Sequence, residues 1–226
     1  MHNYTLEITL LSDTTFNMGA GISGVVDAEI QHDELGLPTI SGRAIKGLLV
    51  NECSELLYAL GEGKDWSDIA TQLFGIRGET LGGEMGKLHI SDATIAPDLV
   101  ESLRSQKTLS RLEIIDSLTD VRRQTAMNVY GAPKDESLRA NRVLIKGITL
   151  YASLNFTKKP ADPERALLAA CVLSMRQAGL GRNRGKGKIR VRITDRRLKY
   201  DEFIKDKDPN DITAQWFPIF KRRVGQ

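Results

Sequence analysis

Apolar positions recur along this chain at two periods. From Tyr4 to Leu11 every second residue is apolar, with Tyr4, Leu6, Ile8 and Leu10 on one side, the pattern of a strand with one buried face. Residues 12–38 contain glycines but no period and predict a loop insertion. Ser41 can cap the helix that follows, since Ile45, Leu48, Leu49, Cys53, Leu56, Leu57 and Leu60 form an i, i+3, i+4 stripe that stops at Gly61. Residues 61–86, rich in glycine and acidic side chains, predict a second insertion, and Lys87 to Thr94 a short strand. Residues 112–146 are polar and basic around the turn-like Tyr130-Gly131-Ala132-Pro133, which predicts a protruding hairpin arm. Gly147 to Asn155 alternates as a strand. A second helix opens at Asp162-Pro163 and runs through Leu167, Leu168, Cys171, Val172 and Met175 to Gly179, and a last strand holds Ile189, Val191 and Ile193 on one face.

The order β-α-β-β-α-β predicts an α+β fold, the ferredoxin-like (RRM-like) split arrangement, with one insertion before the first helix and a long hairpin between the central strands. At 226 residues the chain suits one elaborated domain. Its expected bounds are 1–195, followed by a C-terminal extension, 196–226, whose Trp216, Phe217 and Phe220 are docking or packing side chains. We expect this extension to contact a neighbouring subunit. Cys53 and Cys171 sit on apolar helix stripes as buried thiols, which fits a reducing, cytoplasmic setting. No apolar run reaches the roughly 18 residues needed to span a bilayer, so no membrane partner is expected.

A net charge of only +3 conceals an uneven distribution, because Arg176 to Arg197 holds nine Arg or Lys against Asp195 alone. Within it, Gly179, Gly181, Gly185 and Gly187 alternate with Arg182, Arg184, Lys186 and Lys188, and Lys188, Arg190 and Arg192 would form a cationic row opposite the apolar face of the strand. Nucleotide-binding glycine loops follow a strand and open a helix; here the helix comes first. A solvated basic strand is the plain alternative, but cations on a glycine-rich turn suit successive RNA phosphates. A second constellation is Gly36 to Gly47, where backbone N–H groups at a helix start, with Arg43 and Lys46, favour an anion. Taken alone, it reads better as a capped helix with two surface cations, a reading that gives way beside the other glycine segment.

Together the Leu37-Pro38 to Gly47 element and the Gly179 to Val191 run resemble the CRISPR-associated RAMP superfamily. The likeness is nearest to the backbone subunit of type III effector complexes, which coats guide RNA. Leu118 to Asn128, with Arg122 and Arg123, resembles the thumb that this subunit inserts into the guide and target duplex. The likeness spans roughly residues 4 to 194. Ser41-Gly42-Arg43-Ala44 departs from the family's commoner Pro-Gly-Ser-Ser, adding a cation and removing hydroxyls.

The resemblance implies partners: guide RNA, target RNA, other type III subunits and further RAMP subunits. It also implies metal-dependent endoribonuclease activity. In Gly24 to Asp33, Asp27 matches the position of the family's catalytic aspartate and Asp33 a second one. A carboxylate there would bind a divalent metal, expected to be Mg2+, or activate a ribose 2′-hydroxyl toward a 2′,3′-cyclic phosphate product. Glu29 and Asp33 are candidates to share the metal, and His32 is a candidate proton-transfer group. His89, in a predicted strand, reads as structural. The alternative for Asp27 is an ordinary turn or cap residue.

Two rival functions remain open within the superfamily: a catalytically inert subunit that only binds guide RNA, and a nuclease that processes guide precursors. A generic RRM-like binder would carry aromatic stacking residues that the last strand lacks.

Overall fold

The computed structural model describes residues 2–22, 25–61, 64–76, 86–105, 109–134, 137–195 and 211–225. In chain order its elements are β1 (His2–Leu10), α1 (Gly42–Ala59), α2 (Lys64–Phe74), β2 (Leu88–Ile90), α3 (Pro97–Ser105), α4 (Arg111–Leu118), β3 (Thr119–Gln124), β4 (Arg139–Leu144), β5 (Thr149–Phe156), α5 (Asp162–Ser174), β6 (Ile189–Thr194) and α6 (Ile212–Val224). The chain combines helices with two antiparallel sheets. The larger has strand order β2-β5-β1-β6 and the smaller is the β3-β4 hairpin.

β1 lies at the centre because its alternation suits a strand with neighbours on both edges: Leu6 is paired with Ala152 of β5 and Ile193 of β6. Leu6, Ile8 and Leu10 are buried in one core with Ile45, Leu49 and Cys53 of α1, Leu167, Leu168 and Cys171 of α5, and Ile189, Val191 and Ile193. The opposite face of β1 is polar. There Glu7 is 6% exposed and accepts from Arg192 Nη2 at 2.7 Å, so Arg192 is neutralised inside the chain. The cationic row expected on β6 is therefore shorter, with Lys188 and Arg190 exposed.

Several boundaries differ from the sequence reading. The 61–86 insertion begins with α2, whose Trp66, Ile69 and Ala70 pack against the core while Leu73 is buried in it; residues 62–63 and 77–85 lie outside the described residues. The arm expected over 112–146 starts with α4, whose Ser110 and Glu113 form a capping box and whose Ile114 and Ile115 are buried. The hairpin proper is β3 with β4. α5 ends at Ser174, five residues before Gly179, and its N-cap is Ala161, whose N–H donates to Glu164 Oε2 at 2.8 Å.

The tail 196–226 is described only from residue 211. There α6 packs on α5, with Trp216 and Phe220 buried and Trp216 edge-on to Tyr4 at 4.9 Å. Of the two uses expected of these aromatics, both residues are engaged in packing within the chain.

Residues 12–38, expected as a loop, are stitched to the hairpin. Thr14 bridges Leu144, and Ala28 runs parallel to Asn141. Thr14, Thr15, Glu29 and Ile30 are buried.

Candidate nucleic-acid interface

The glycine-rich run folds as a tight turn on the 12–15 segment. Leu180 N–H donates to Thr15 O at 2.9 Å, Gly187 N–H to Asp13 O at 3.1 Å, and Lys188 N–H to Ser12 Oγ at 2.9 Å. A Cβ at Gly187 would lie 2.1 Å from Ala178 O, and at Gly179 2.6 Å from Thr15 O, so these two positions need glycine for space as well as for their positive φ. Gly181 and Gly185 bracket one 3-10 turn, Arg182–Arg184. Arg182 and Arg184 are exposed, and neither they nor Lys186 has an ion-pair partner among the described residues. Arg182 also faces Glu52, whose carboxyl is pushed up by burial and by Glu55, with Arg182 partly offsetting both.

The two sequence constellations converge. A groove of about 410 Å³ is lined by Phe16, Ser41, Ala44 and Leu48 on one side and Gly179 and Arg182 on the other. The start of α1, however, is closed by the chain's own acceptors. Asp92 Oδ1 takes Gly42 N–H at 2.8 Å and Ser41 Oγ takes Ala44 N–H at 3.2 Å. The expected backbone seat for an anion is thus filled by a carboxylate and a hydroxyl. Lys46 is also withdrawn. It lies about 200° around the helix from Ala44 and Leu48, its Nζ donates to Leu88 O at 3.2 Å, and burial lowers its pKa. Arg43 is exposed beside the groove.

The cations of the hairpin divide in the same way. Arg122 is held by Asp13 and Asp120, each at 2.9 Å, and ties the hairpin to the turn beneath it. Arg123, on the opposite face of β3, is exposed and has no such partner among the described residues. Arg142 anchors the other strand. Its Nε lies 3.1 Å from both carboxylate oxygens of Glu29, and its Nη1 donates to Asp116 and Thr119 at 3.0 Å.

Asp27 sits where the 27–28 segment runs alongside β4. Its N–H donates to Ala140 O at 2.7 Å and its Oδ2 accepts from Ala140 N–H at 2.7 Å. Arg139 Nη1 lies 3.3 Å from Oδ1. The Ala140 N–H, and then Arg139, hold the Asp27 carboxyl below the usual aspartate range, so it is ionised at neutral pH. It opens on a cavity of about 640 Å³ walled by Ile22, Val25 and Leu138, with Arg123 as the other charged lining residue.

The accessory residues predicted near Asp27 do not join it. Glu29 is buried under Arg142. Asp33 uses Oδ1 to accept Leu35 and Leu37 N–H, each at 2.9 Å, as a turn residue. His32 Nδ1 meets Asp33 O at 3.1 Å and Arg111 Nη2 at 3.4 Å. Among the described residues no three His, Cys, Asp or Glu side chains cluster as a metal site. The described lining of the Asp27 cavity offers a divalent ion one carboxylate, that of Asp27. The sequence shows Arg139 only as one of the cations of the basic arm, because nothing local marks a residue that pairs with another 112 positions away.

Solved structures share this fold, among them two of type III-B complexes. A chain of "Type III-B Cmr-beta Cryo-EM structure of the Apo state" superposes with a TM-score of 0.58 at 15% identity, covering 84% of this chain and 96% of that one. A chain of "Cryo-EM structure of the Type III-B Cmr-beta bound to cognate target RNA" gives 0.60 at 14% identity, covering 85% and 97%. At these identities the likeness is one of fold. A profile of the RAMP superfamily matches residues 7–190, and the chain belongs to that superfamily. No curated protein matches it. No described helix is long and apolar enough to cross a membrane.

Proposed function

We propose that this chain is a guide-RNA-binding backbone subunit of a type III CRISPR effector complex that cuts paired target RNA at Asp27. The observation that carries the proposal is the arrangement around one hairpin. The unpaired cation Arg184 shares a cavity with its residues Gln124, Arg139 and Asn141, and Asp27 lies beside the same strand, β4. Guide phosphates would run over Arg43, Arg182, Arg184 and Lys186. Lys188 would extend that path, while Arg122 and Lys46 have structural work. The strand order β2-β5-β1-β6 supports reading residues 1–195 as a ferredoxin-like core. The exposed tip of the hairpin, with Val129 93% and Tyr130 91% exposed, supports reading it as a thumb. Neighbouring partners would be further RAMP subunits in a cytoplasmic complex.

Asp27, ionised and fixed by the Ala140 N–H, is suited to accept a hydrogen bond from a ribose 2′-hydroxyl and orient its oxygen toward the adjacent phosphorus. The depressed pKa makes it a weak base, so orientation and charge are its larger contributions. Arg123 would offset charge building on the phosphate oxygens. Asp27 would hold a Mg2+, which would supply charge neutralisation at the scissile phosphate.

The test is a map of target RNA ends after incubation with assembled complex carrying wild-type chain or Asp27→Ala, with and without chelator. Regular cuts that vanish in the variant, with guide binding retained, support the reading; unchanged cutting by the variant overturns it. A wild-type complex that holds guide and never cuts would mark an inert subunit. Processing of repeat RNA by the isolated chain would mark a precursor nuclease.

A further inference from the structure

Arg139 stands between two cavities. One holds Asp27 and Arg123. The other, of about 900 Å³, is lined by Gln124, Lys134, Ser137, Arg139, Asn141 and Arg184. Among the described lining residues are three cations and several hydrogen-bonding side chains and no carboxylate, a set that suits a phosphodiester. Arg139 nevertheless has its Nη1 at 3.3 Å from Asp27 Oδ1.

The two contacts on Asp27 differ in kind. The Ala140 N–H comes from the backbone of β4 and cannot be exchanged without moving the strand. The Arg139 contact joins two exposed side chains, 66% and 42% accessible, and such a pair is screened and readily exchanged. A phosphate arriving beside Lys134 and Arg184 offers the Arg139 guanidinium a bidentate partner in competition with Asp27. Once Arg139 turns to it, Asp27 keeps its fixed position through Ala140, while Oδ1 loses its cation and becomes open to a ribose hydroxyl.

Resting on the assignment of cleavage to Asp27, we infer that Arg139 is a positioning residue that latches Asp27 until an RNA phosphate in the adjoining cavity draws its guanidinium away. The fold thereby links occupancy of the phosphate site to readiness of the carboxylate across a single strand. Cutting would then require RNA seated on the hairpin as well as a scissile bond near Asp27.

Two measurements test the latch. In the full chain, the Arg139 guanidinium NMR signal, assigned by its loss in Arg139→Lys, is followed as a single-stranded oligonucleotide lacking 2′-hydroxyls is added. The signal should leave its Asp27-paired position and reach the one it holds in oligonucleotide-bound Asp27→Asn. If it stays at the paired position with oligonucleotide saturating, the latch is wrong, whether or not the chain cuts RNA. In the assembled complex at saturating target, Lys134→Ala should lower kcat about tenfold in the wild-type background and at most about twofold once Arg139→Gln is present. Arg139→Lys should restore the dependence on Lys134. Equal losses in both backgrounds overturn the latch while leaving Asp27's own role standing. A complex that never cuts discards the cleavage assignment, and the NMR result then decides the latch alone.

Discussion

Replacing Arg142 with methionine tests how firmly the Asp27 segment is bound to the hairpin. The guanidinium Nε lies 3.1 Å from both oxygens of Glu29, whose side chain is 3% exposed. Without it, Glu29 keeps one donor among the described residues, the Ile30 N–H at 3.0 Å. Removing one partner of a buried pair costs about 3–5 kcal/mol. Here Arg142 is itself 13% exposed and its second carboxylate, Asp116, is 69% exposed, so that outer contact adds little and water can reach the gap. The lower end, about 3 kcal/mol, is therefore the expected loss, equivalent to roughly 6–12 °C in Tm for a chain of this size. Urea and thermal melts followed by circular dichroism measure it. Adding Glu29→Gln to Arg142→Met removes the stranded charge and should recover most of the loss. A single-variant cost below about 1 kcal/mol, or a double variant no more stable than the single, would refute the reasoning. Because Glu29 lies two residues beyond Asp27, the target cutting proposed for Asp27 should weaken in step with stability.

Further expectations follow from the same contacts. Gly187→Ala meets Ala178 O at 2.1 Å and should destabilise the fold in urea melts well beyond Gly185→Ala, which has open space and loses only about 1–2 kcal/mol for its left-handed backbone. Arg184→Gln should flatten the slope of log affinity against log salt for single-stranded RNA by about 0.7, whereas Lys46→Gln, whose amine serves Leu88 O, should leave the slope unchanged in filter binding. Asp27, with its folded pKa lowered, contributes stability above the ordinary aspartate pKa that is lost as pH falls through the lowered one. Arg139→Gln should raise its NMR titration midpoint only partway, since the Ala140 N–H is the larger cause; a return to the ordinary value would contradict that ranking.

The elements visible in the sequence are those whose signal is local. β1, α1 and β6 follow from periodicity in Leu6 to Leu10, Ile45 to Leu57 and Ile189 to Ile193. The turn glycines follow from spacing, and all four have positive φ. Two helices carried signals that composition obscured. Trp66, Ile69, Ala70 and Leu73 form a helical stripe inside a stretch that reads as acidic insertion, and Ser110 with Glu113 is a capping box at the edge of a basic arm. The pairing of charges was not legible. Arg122 and Arg123 are adjacent and chemically identical, yet the alternation of β3 gives one to Asp13 and leaves the other beside Asp27. Arg142 and Glu29 are 113 residues apart, and only the assembled fold selects that carboxylate over Asp27 as its partner.

The central place of β1 also has a bearing on synthesis. It is made well before its two neighbours, which begin at Thr149 and Ile189. A nascent chain therefore carries Leu6, Ile8 and Leu10 without these sheet partners until β5 and β6 have left the ribosome, a topology that folds slowly and benefits from chaperones. The glycine turn, lying between α5 and β6, closes only when β6 docks on β1. The surface proposed to hold RNA thus forms only once β6 is in place, and a chain truncated before β6 would lack it.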